Sequence, residues 1–131
     1  MRYSKKGFTF IEILIAMTLI AIVFIPLMKM FTVAMDSINL AKIKTTAVSI
    51  AREHMEMVKN LNLPEERMKE LESPSYFPPV NEDPFELNQT KWRVKRVIHK
   101  STDPLQVDIL VYIDGESEPI YTLSTLFEDI Y

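Results

Sequence analysis

The sequence predicts an α+β protein: a long N-terminal α-helix packed on a small antiparallel sheet of three to four strands. Three observations carry that prediction. From Phe8 to Met28 the chain is apolar with Glu12 as its only formal charge. From Leu40 to Leu61 apolar residues recur at alternating steps of three and four. Beyond Lys91 the apolar period drops to two, as a strand with one covered face requires.

The first element follows from hydropathy. As a helix, Phe8–Met28 spans about 30 Å, the thickness of a bilayer's hydrocarbon core. Arg2, Lys5 and Lys6 precede it and Lys29 follows it, which by the positive-inside rule predicts a cytoplasmic N-terminus. A cleaved signal peptide, with a cut near Thr32-Val33-Ala34, and a plain single-pass anchor compete for such a segment. Both must explain Glu12, because a carboxylate deep in a bilayer costs roughly 2.5–3.5 kcal/mol on insertion scales. The segment itself offers no basic partner. Pro26 removes one backbone hydrogen bond from the helix and predicts a kink there.

The helix continues beyond the membrane. Leu40, Ile43, Ala47, Ile50, His54, Met57 and Leu61 form a stripe that Ala41, Val48, Ala51, Met55 and Val58 broaden. Lys42, Lys44, Ser49, Arg52, Glu53, Glu56 and Lys59 take the opposite side. His54 on the stripe reads as a half-buried histidine rather than a ligand. The methionines read as packing side chains. Asn62 and Pro64 end the helix near Leu61.

In the C-terminal half, Pro64 opens a short helix through Glu72. Tyr76–Leu87 reads as an irregular loop with a short strand near Phe85–Leu87, and Tyr76, Phe77 and Phe85 are expected to plug the core. Trp92, Val94 and Ile98 mark a strand whose alternation Arg96 interrupts. Leu105, Val107, Ile109, Val111 and Ile113 alternate cleanly. Asp114-Gly115 signals a turn, since glycine accepts positive φ. A last strand covers Ile120–Phe127, with Tyr121, Leu123 and Phe127 facing inward. The expected meander lies on the Leu40–Leu61 stripe.

Composition narrows function. The 131 residues are 47% hydrophobic and 25% charged, with 2 glycines and no cysteine. Disulfide scaffolds, thiolate zinc sites, cysteine nucleophiles and glycine-rich phosphate cradles are therefore excluded. The formal net charge of -3, without a basic patch, argues against nucleic-acid binding. No P-loop, G-x-S-x-G or H-E-x-x-H motif occurs. Asn81-Glu82-Asp83 and Asp114/Glu116/Glu118 are acidic turns without EF-hand spacing, so solvated turns are expected there rather than calcium sites. No catalytic residue, metal or cofactor is expected.

Lys5-Lys6-Gly7-Phe8-Thr9-Phe10-Ile11-Glu12 resembles the processing motif of type IV pilins and type II secretion pseudopilins. Phe10 departs conservatively from the family's more usual leucine or methionine. The resemblance implies a pilin-like fold and cleavage between Gly7 and Phe8 by the prepilin peptidase, which then N-methylates Phe8. It makes Glu12 the family's assembly glutamate, paired with the amino terminus of a neighbouring subunit. Pro26 stands slightly earlier than the proline of major pilins. The implied domains are a leader (1–7), a transmembrane and filament-core half-helix (8–31) and an extracytoplasmic head (32–131). Ser49–Glu56 resembles the same helix region of I-class minor pseudopilins and V-class minor pilins.

The implied function is that of a minor pseudopilin that helps initiate or cap a type II secretion pseudopilus. A minor pilin for twitching or DNA uptake, or a tip adhesin or DNA receptor, is the alternative. The implied partners are the peptidase, other minor and major pseudopilins or pilins, the assembly platform and the inner membrane, which the chain crosses once.

Overall fold

The structure, a computed structural model, describes residues 7–128. Arg2, Lys5 and Lys6 of the expected leader lie outside the described residues. The chain divides into two compact units, Met1–Leu40 and Ala41–Tyr131.

Helix α1 spans Phe10–Asn60 and carries Pro26 within it. Having no N–H, Pro26 leaves the Ile22 carbonyl without its usual donor. The helix stops where Asn62 takes a left-handed φ of 45°. Asparagine tolerates that conformation, and its N–H donates to the Lys59 carbonyl at 3.1 Å. Pro64 then caps the short helix α2, Glu65–Glu70, its carbonyl accepting from Met68 N–H. Lys69 pairs with Glu65 one turn earlier.

The sheet has five antiparallel strands: β1 (Ser75–Phe77), β2 (Phe85–Leu87), β3 (Thr90–His99), β4 (Leu105–Ile113) and β5 (Tyr121–Phe127). The order is β1-β3-β4-β5. β2 shares the β1 edge of β3: β1 covers Val94–Arg96 and β2 covers Trp92–Thr90. The expected meander is present as β3, β4 and β5, but the expected three to four strands are five. The segment read as an irregular loop contributes β1, where Tyr76 pairs Lys95. Beyond β1, Ser73 extends that edge with its side chain. Its Oγ accepts from Ile98 N–H at 2.8 Å and donates to the Ile98 carbonyl.

The core lies between one face of the sheet and the second half of α1. Trp92, Val94 and Ile98 of β3 and Leu105, Val107, Ile109 and Val111 of β4 pack with Ala47, Ile50, Ala51, Met55, Val58 and Met68. Each such aliphatic side chain contributes about 1.5–3 kcal/mol by leaving water. The Trp92 indole N–H is not left unpaired; it donates to the Leu87 carbonyl at 3.0 Å.

Two expectations about packing need correction. The buried turns of α1 run only from Thr46 to Val58. Leu40, Met57 and Leu61, assigned to the packing stripe, are about half exposed. Leu40 and Leu61 lie beyond the buried turns, and Met57 stands at the edge of their arc. Of the three expected core plugs, Phe85 packs on the core, whereas Phe77 is 53% exposed and Tyr76 is exposed. Three residues fenced by Pro74 and Pro78 make an edge strand, and an edge strand covers little. The inward residues of β5, Tyr121, Leu123 and Phe127, are partly buried against the core, as the alternation predicts.

Candidate processing and assembly site

The site begins at the start of α1. Thr9 is the cap: its carbonyl accepts from Ile13 N–H at 3.3 Å, the first turn of the helix. Its side chain and the side chain three residues on close a reciprocal box. The Glu12 N–H donates to Thr9 Oγ1 at 3.4 Å, and the Thr9 N–H donates to Glu12 Oε2 at 3.0 Å. The Thr9 hydroxyl also donates to Oε2, at 3.1 Å. Thr-x-x-Glu is the capping-box signature, and it satisfies donors that a helix start otherwise leaves free. Glu12 therefore has a local role in its own chain. In the sequence the Glu12 charge hides the box, although the spacing Thr9-Phe10-Ile11-Glu12 spells it out.

Both bonds to the carboxylate fall on Oε2. Among the described residues Oε1 accepts none, so the carboxylate keeps one oxygen for a further donor. No described basic side chain pairs with Glu12. The positive end of the α1 dipole favours an anion at this place.

Gly7 and Phe8 precede the cap and are exposed. A Cβ on Gly7 would meet no atom within 4 Å, and Gly7 has no positive φ. Among the described residues, nothing crowds a side chain at this position. A demand for glycine at this position would come from something that binds the segment.

Every residue from Gly7 to Lys42 is exposed. Phe8, Phe10, Ile11, Met17, Ile20 and Phe31 are all at least 60% accessible. So large a contiguous apolar surface marks a membrane or protein contact. α1 is the one helix among the described residues that is long and apolar enough to cross a membrane. Pro26 lies inside this exposed half and apart from the Thr9–Glu12 box. No group of three or more His, Cys, Asp or Glu side chains that could hold a metal occurs among the described residues.

The prokaryotic N-terminal methylation motif matches residues 2–28. That N-terminal motif marks the type IV pilin and pseudopilin family. No curated protein and no solved structure matches it. The pilin-like family is structural rather than enzymatic. Its leader motif implies processing by a prepilin peptidase and assembly with other pilins. The single apolar N-terminal helix agrees with a single-pass anchor of a pilin.

Proposed function

We propose that this pilin-like protein is a minor pseudopilin that helps initiate or cap a type II secretion pseudopilus. The peptidase hydrolyses the Gly7–Phe8 amide, releasing residues 1–7 and a new amine on Phe8, which is then methylated. Residues 8–31 hold the subunit in the inner membrane, and residues 32–131 form the head outside the cytoplasm. Removing Arg2, Lys5 and Lys6 leaves 12 basic against 18 acidic residues, a net charge of -6. The leader leaves first because its two lysines anchor the helix at the cytoplasmic face. The subunit then moves into a filament, packing its exposed apolar half against neighbours, with Pro26 as a kink in that half.

The observation that carries this reading is the Glu12 carboxylate: among the described residues it is capped through one oxygen and free at the other, in the exposed apolar half of α1. In a subunit alone the Thr9 donors ease the cost of that charge. In a filament the free oxygen accepts from the Phe8 amine of a neighbour. Charge pairing is far stronger in a low-dielectric core than in water, so the pair sets the register between subunits. The resemblance of Ser49–Glu56 to I-class minor pseudopilins and V-class minor pilins supports a minor subunit.

Glu12→Ala separates cleavage from assembly. The variant is expected to lose its leader normally, by gel mobility, and to be depleted several-fold from filaments recovered by pull-down. Normal incorporation would remove the pairing argument. A block of cleavage would show that Glu12 serves the peptidase instead.

A further inference from the structure

A cleft of about 370 Å³ opens between the end of α1 and the β1 edge of the sheet. That is within the usual size of a ligand pocket, ~300–1,000 Å³. Its walls are mostly apolar: Met57, Val58 and Leu61 from the helix, Val94 and Ile109 from the sheet. Phe77 stands at the rim, its ring 5.0 Å from the His54 ring and 5.9 Å from Phe85.

Arg96 does not belong with these walls. It takes the inward position between Val94 and Ile98, opposite Ser75 on β1 and Ile109 on β4. Its Nε is shut off from solvent and has no hydrogen-bond partner among the described residues. No carboxylate pairs with its guanidinium among the described residues. A shielded N–H without an acceptor is a rare arrangement in a folded protein. The neighbouring His54 adds no second charge to the cleft. Burial and the Arg96 charge both hold that imidazole below its ordinary value, against the opposite pull of Glu53, so it stays uncharged at neutral pH.

The other cations nearby are engaged elsewhere. Arg93 donates to the carbonyls of Pro78, Pro79 and Glu82. The Lys95 ammonium lies over the Tyr76 ring, 5.7 Å from its centroid. One unpaired guanidinium among apolar walls matches a single negative charge carried beside an apolar side chain. A phosphate would call for more cations.

We propose that the Arg96 cleft is a docking site for a partner polypeptide, taking a glutamate or aspartate side chain on the guanidinium and an adjacent apolar side chain against Phe77, Met57 and Leu61. The carboxylate accepts from the Arg96 guanidinium where it lines the cleft. The half-exposed side chains at the rim are covered at the same time. This site is separate from the Glu12 box, and its occupancy does not depend on how the N-terminus is processed.

The test uses the full chain, isotope-labelled, in maltoside micelles. Two peptides serve as probes, acetyl-Ala-Phe-Glu-Ala-amide and its glutamine counterpart. The glutamate peptide is expected to shift the His54, Phe77 and Arg96 Nε resonances and to bind at least tenfold tighter than the glutamine peptide. Arg96→Met should abolish that preference while keeping the thermal midpoint, since it removes an unpaired buried donor. Equal binding of the two peptides would overturn the proposal, and so would a preference that survives Arg96→Met. Propionate or decanoate competing as well as the glutamate peptide would assign the cleft to free acids and overturn it too. Should Arg96→Met not fold, the glutamate-to-glutamine ratio on the unaltered chain decides.

Discussion

At the scale of single residues, the informative side chains are those that break a pattern. Glu12 stands out in the sequence because it is the lone carboxylate in an apolar run. Thr9 does not, because a threonine before a helix attracts no notice until its bonds to Glu12 are seen. Arg96 registered only as a fault in the β3 alternation. The shielded, unpaired Nε gives that fault its meaning. His54 was read as half-buried on the packing stripe, and it is, with burial depressing its pKa below the ordinary value of 6.5. The sign of its effect on stability follows. Above about pH 6.5 the imidazole is neutral in both folded and unfolded chains, and its contribution is fully present. As pH falls below 6.5 the unfolded chain takes up a proton that the folded one resists, and stability is lost. Head stability should therefore decline between pH 7 and 5, and His54→Phe should flatten that decline in thermal melts. Asp108 adds a loss of the same sign at lower pH. Burial raises its pKa, but bonds from Gln106, Ser124 and His99 outweigh that and leave it below 3.8.

At the scale of elements, legibility tracked length. α1, β3 and β4 were readable because each repeats its period several times. β1, three residues long, gives no period to read, whereas the short strand expected near Phe85–Leu87 is present as β2. The turn between β2 and β3 was equally silent. Asn88 and Gln89 both hold positive φ, 54° and 64°, in a two-residue connection that the usual asparagine-glycine pair would have announced. The Asn88 amide then donates to Thr46 Oγ1, fixing this hairpin to α1. By contrast, Asp114-Gly115 gave its turn away, and Gly115 holds a φ of +90°. A Cβ there meets nothing within 4 Å, so a substitution costs backbone strain alone. Gly115→Ala should destabilise the head by about 1 kcal/mol and lower its melting midpoint by about 4–8 °C. An unchanged midpoint would mean that the β4–β5 turn relaxes into another form.

At the scale of the whole molecule, the two compact units divide the labour. One exposes nearly everything apolar that it has; the other holds all the buried core. The residues that bury Ala47, Ile50, Ala51, Met55 and Val58 all lie within Ala41–Tyr131. A fragment beginning at Val33 should therefore be soluble and melt cooperatively, and aggregation or a broad, gradual transition would show that its helix needs a partner. Leader cleavage and N-methylation are chemistry done on this protein, and the mass of the chain reports them directly. Intact mass and N-terminal sequencing of the protein from its native membranes should find N-methylated Phe8 as the first residue. A chain starting at Met1, or just after Ala34, would contradict the account and return the protein to the anchored or secreted class.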